Sequence, residues 1–179
     1  MFQSNKLLTL SSILCFLALA LSSLAIAQPK SVAKKAEYVV TKSNKSSLIT
    51  VWLSKDIIAF SEQGSSKVAK WQLWQTNHPS FYHVYTDVGY RIEFDRLTSQ
   101  EMESVLDELK LLINGDDFND QFVINDKRFE LSSLENGKSV EDYLKEWKTY
   151  KTYDYADIGD NEADPVLGKL IQQGFVRGF

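Results

Sequence analysis

Between residues 47 and 95 the chain is a succession of short runs (49–53, 56–60, 68–74, 81–86 and 90–95), each apolar or alternating and each followed by a polar turn. Strands recurring at intervals of about 8–12 residues predict an antiparallel meander, because a parallel sheet needs a helical crossover between successive strands. Gly64 and Gly89 stand where two of the turns require a positive φ. A shorter run at 37–41 predicts one further strand ahead of these.

Read by face, the strands are not alike. Tyr90, Ile92 and Phe94 alternate with Arg91, Glu93 and Asp95, which predicts one buried and one wet side. In the middle of the meander the alternation fails. Ile49, Val51 and Leu53 share a face while Trp52 stands opposite, and Trp71 and Leu73 are opposed by Trp74. These strands are therefore expected to be covered on both faces, by protein on one and by protein or a ligand on the other.

Helical periodicity begins at Thr98-Ser99-Gln100-Glu101, a capping-box pattern with Leu97 placed to pack on Met102. Met102, Val105, Leu106, Leu109, Leu112 and Ile113 continue it as one stripe that ends before Gly115. A small hairpin is predicted at 121–131, turning at Asn125-Asp126-Lys127. A second helix is expected from Ser139, with Val140, Tyr143, Leu144 and Trp147 on one side, and a third from Pro165, capped by Asp164. The fold class that follows is α+β: an antiparallel, curved meander of five to six strands packed by one long helix, then a small hairpin and two shorter helices.

Composition adds a destination. Lys6 precedes an uncharged apolar run from Leu7 to Ile26 that closes on Ala25-Ile26-Ala27, the form of a secretory signal peptide with its cleavage site. The competing reading is a retained anchor, since about 20 apolar residues span a bilayer. The expected organisation is a signal peptide at 1–27, a flexible basic arm at 28–36 and one α+β domain at 37–179, placing the protein in a periplasm or outside the cell. The single cysteine, Cys15, lies inside the apolar run, so no disulfide is available to the domain. The formal charge of −4 argues against a nucleic-acid partner. Membrane contact is expected only through an uncleaved signal or, weakly, through Lys30, Lys34 and Lys35 of the arm.

Three chemistries are then open. The aromatic side chains Trp52, Trp71, Trp74, Tyr82 and Tyr85 on a two-sided sheet suit an apolar or amphipathic ligand. A non-enzymatic binding protein is the leading expectation. Asp154, Asp157, Asp160, Glu162 and Asp164, with Gly159 among them, offer the oxygen ligands that calcium takes, although the spacing is not that of an EF-hand. Such a loop also suits a module that binds a protein partner. His83, which shares a strand face with Tyr85 and Asp87, is the one candidate base for a hydrolase. No G-x-S-x-G, H-E-x-x-H or phosphate-binding glycine loop accompanies it.

Overall fold

A computed structural model describes residues 32–173, apart from 77, 96, 116 and 162. The expected signal peptide lies outside the described residues, as do residues 28–31 of the expected arm. The first strand begins inside that arm: β1 is Lys34–Lys42, and Ala33 and Ala36 are already buried. It is followed by β2 (Lys45–Leu53), β3 (Ile57–Glu62), β4 (Lys67–Gln72), β5 (Ser80–Tyr85) and β6 (Tyr90–Phe94). These six strands pair in chain order, all antiparallel.

The remaining elements are α1 (Ser99–Leu112), a two-residue pair β7 (Ile113–Asn114) and β8 (Asp117–Phe118), then β9 (Gln121–Ile124), β10 (Lys127–Asn136), α2 (Lys138–Glu146), β11 (Lys151–Asp154) and α3 (Pro165–Gln173). Here the fold exceeds the sequence pattern. The hairpin β9–β10 does not stand apart but joins the sheet through β1, and β11 adds to β6 in parallel. The result is a nine-stranded sheet in the order β11-β6-β5-β4-β3-β2-β1-β10-β9. A register shift opposite Glu37 and Tyr38 lets β10 follow β1 along its length while Leu131 and Leu134 stay on one face.

One face of the sheet carries the larger core. Tyr38, Val51, Ile58, Trp71, Phe81, Ile92 and Phe94 pack there beneath Leu109 and Leu112 of α1 and Leu167 and Leu170 of α3. The capping box of α1 forms as its sequence predicts: Glu101 N–H donates to Thr98 Oγ1 and Thr98 N–H donates to Glu101 Oε2. Asp164 caps α3, its Oδ1 accepting from Val166 N and Leu167 N.

The opposite face is covered over only part of its width. Trp52, Ile57, Ala59, Val68, Tyr82 and Val84 pack against Val140 and Leu144 of α2 and against Trp147 in the 3₁₀ turn Trp147–Thr149. Helix α2 starts one residue earlier than its sequence suggests, with Gly137 at φ 114° as its cap, and Ser139 Oγ instead donates to Glu135 Oε1 at 3.0 Å. On β1, β10 and β9 this face is largely polar, with Lys35, Glu37, Glu130, Glu135, Arg128 and Ser133 in pairwise contacts.

The larger core rests on Trp71, 2% exposed and 4.5 Å from Phe81 between ring centroids. Replacing it by alanine removes an indole the surroundings cannot fill, so Trp71→Ala is expected to cost about 3–5 kcal/mol in urea denaturation. A loss under about 1 kcal/mol would mean that the two layers do not share this residue as a support.

Candidate functional site

The row of residues that leaves the second core builds a groove. Trp52 on β2 is the cross-strand neighbour of Lys35 on β1, and Lys35 is the neighbour of Glu135 on β10. Because cross-strand neighbours share a face, the indole, the ammonium and the carboxylate follow one another across the sheet. Helix α2 stands along them and contributes Ser139, Val140 and Tyr143, whose spacing sets them over adjoining turns of one helical side. With Thr50 these residues line a groove of about 380 Å³, within the range of small-molecule sites.

Its apolar wall is aromatic. Trp52 lies 5.9 Å from Tyr143 and 5.3 Å from Trp147 between ring centroids, and Tyr143 and Trp147 are 5.1 Å apart. Trp147 is wholly buried and anchors the trio, whereas Tyr143 keeps 37% of its surface exposed at the groove. The polar wall is paired: Lys35 Nζ lies 3.6 Å from Glu135 Oε2 and 3.7 Å from Glu37 Oε1.

The structure separates the aromatic residues singled out from the sequence. Only Trp52 lines this groove. Trp71 and Tyr85 are buried in the larger core on the other face, where burial pushes the Tyr85 hydroxyl up to about 12. Tyr82 lies in the core beneath α2 and is itself buried. Trp74 falls just beyond the end of β4, half-buried against the larger core, with its indole N–H 3.4 Å from Ser54 O and a cavity of only about 20 Å³ beside it. The five were not one surface because β-strand alternation divides them between two faces.

The acidic loop is placed with equal clarity. Asp154 Oδ1 accepts from Ala156 N, and Asp157 and Asp160 are exposed. Asp164 is engaged: its Oδ2 accepts from Tyr153 OH at 2.8 Å, Lys151 Nζ at 2.9 Å and Tyr90 OH at 3.0 Å. The hydrogen bonds from Lys151 and then Tyr153 hold this carboxyl far below the usual range. Glu162 lies outside the described residues. Among the described residues no three His, Cys, Asp or Glu side chains converge as a metal site would need. His83 has no exposed surface and is ringed by Phe81, Tyr85 and Phe94. It offers no water-accessible imidazole of the kind a hydrolase requires.

Tyr143, Ser139 and Glu135 were missed as site residues. Tyr143 reads as a member of a core stripe, and only the distance that α2 extends beyond the second core reveals its outer edge. Lys70 was missed as well. It is wholly buried in the core beneath α2, donating to Gln72 Oε1 at 3.0 Å and lying 4.6 Å over the Tyr82 ring, whose other neighbour is Arg91 at 5.2 Å. Burial first, then the charges of Arg91 and Lys148, bring its ammonium down to about 8 against the opposing pull of Glu93. The signal was a lysine on a strand whose two faces are both apolar.

Lys70 gives the domain a specific pH dependence. Its folded pKa lies below its unfolded one, so the folded state is penalised for holding the proton below pH 8, and stability rises as pH climbs from about 8 toward 10.5. Lys70→Met is expected to stabilise the domain at pH 7 by about 1–3 kcal/mol, an advantage that shrinks toward pH 9.5. Urea denaturation of both proteins across that interval checks it, and a constant difference would contradict it. The window stops there because Tyr38, Tyr85 and Tyr150, all raised chiefly by burial, make stability fall once unfolded tyrosines ionise near pH 10.

No family model and no curated protein matches the sequence.

Proposed function

We propose that the chain is an exported, non-enzymatic binding protein that holds a small amphipathic ligand in the groove between α2 and the sheet. The observation that carries this reading is the groove itself: an aromatic wall of Trp52 and Tyr143 facing hydrogen-bonding side chains across about 380 Å³. The lining residues are mounted on three strands and a helix rather than on loops. Rigid mounting lowers the ordering cost of binding. Export is supported by the residue pattern before Gln28. The polar chemistry around the groove is that of orientation and not of bond cleavage: Glu135 and Glu37 neutralise Lys35, and Ser139 is committed to Glu135.

N-phenyl-1-naphthylamine is a suitable first ligand, because it is uncharged and its fluorescence rises in apolar sites. Native protein is expected to bind it saturably. Tyr143→Ala, which removes the exposed ring, is expected to weaken the affinity about tenfold, or about 1.4 kcal/mol, while leaving a cooperative denaturation curve. Equal dye affinity in the two proteins would remove the groove from consideration.

A further inference from the structure

From the groove reading, and resting on it, we infer that the ligand is a neutral saccharide. The charges decide against the other amphipathic classes. Among the described residues Lys35 is the one cation lining the groove, and it already has Glu135 at 3.6 Å and Glu37 at 3.7 Å. A fatty-acid carboxylate or a phosphate headgroup would meet two carboxylates around a single ammonium and would have to break an ion pair to be held. A quaternary ammonium would have to compete with Lys35, the cross-strand neighbour of Trp52, for the two carboxylates that already hold it. A neutral polyol meets neither obstacle.

The same residues complement a polyol in detail. An ammonium beside a carboxylate offers donors and acceptors side by side, which matches vicinal hydroxyls that donate through one oxygen and accept through the next. Ser139 and Thr50 add hydroxyls from the flanking α2 and β2. A pyranose also has an apolar C–H face, and the exposed ring of Tyr143 beside Trp52 supplies a platform for it. An acyl chain asks for a long enclosed apolar channel. Here every one of the seven lining residues except Val140 carries a hydrogen-bonding group, and desolvating these groups against hydrocarbon would be unfavourable.

The test is ¹⁵N-resolved NMR titration of the exported form with neutral disaccharides of glucose, N-acetylglucosamine and xylose, beside decanoate and choline as charged amphiphiles. At least one disaccharide is expected to bind saturably at millimolar concentration, shifting the Trp52 indole and the amides of Lys35, Thr50, Glu135, Ser139 and Tyr143. Tyr143→Ala is expected to weaken it about tenfold and Glu135→Gln about threefold, with the rest of the spectrum retained. If the dye occupies the groove but no disaccharide shifts these residues, or if decanoate or choline binds more tightly than every sugar, the saccharide assignment is overturned while the groove stands. If neither dye nor sugar perturbs them, both are overturned.

Discussion

The central strands of this sheet have to be buried twice. β3, β4 and β5 present apolar side chains to both faces, with Ile58, Trp71 and Phe81 on one and Ala59, Val68 and Tyr82 on the other. Neither face can be left to water at a cost of about 25 cal/mol for each Å² of apolar surface. That requirement places α1 and α3 on one side and brings the chain back after β10 to lay α2 and Trp147 on the other. Without a disulfide in the domain, it is the principal source of cohesion.

The groove is what remains after the second requirement is met. Helix α2 has nine residues, a length of about 14 Å, while strands lie about 4.8 Å apart. It is too short to cover the full width of a nine-stranded sheet. Along the helix the sheet beneath changes from Trp52 to the Lys35, Glu37 and Glu135 network, so aromatic and polar side chains meet beside one element. A recess with an aromatic wall and a hydrogen-bonding floor follows from that coincidence, with no special loop needed to build it.

Much of this was legible in the sequence, and what was not has physical causes. The meander, the capping box at Thr98 and the cap at Asp164 depend on local spacing and appear as expected. The two-sided character of the middle strands was legible in the opposition of Trp52 to Val51, whereas the expected opposition of Trp71 and Leu73 by Trp74 fails, because β4 ends at Gln72 and Trp74 packs on the same core as Trp71. Pairing between distant segments was not: nothing in Lys34–Lys42 announces that one of its partners is Lys127–Asn136. The site was half legible for a similar reason. Trp52 stood out as an aromatic on the unexpected face, but Tyr143, Ser139 and Glu135 acquire their role only from where α2 lies against the sheet.

The pairing of β1 with β10 also governs the order of assembly. Strands β1 to β6 can associate with their sequence neighbours as the chain emerges, yet one side of β1 stays unpaired until residues 127–136 arrive, bringing partners such as Val40 and Phe129, or Ala36 and Leu134, together across some ninety residues of chain. Loop closure over such a separation is slow relative to hairpin formation. During that interval the backbone of β1 is an open edge with the tendency of such edges to recruit other chains. A protein built this way benefits from folding only once residues 127–136 are available, since any part ending before β10 would carry that edge with nothing to close it.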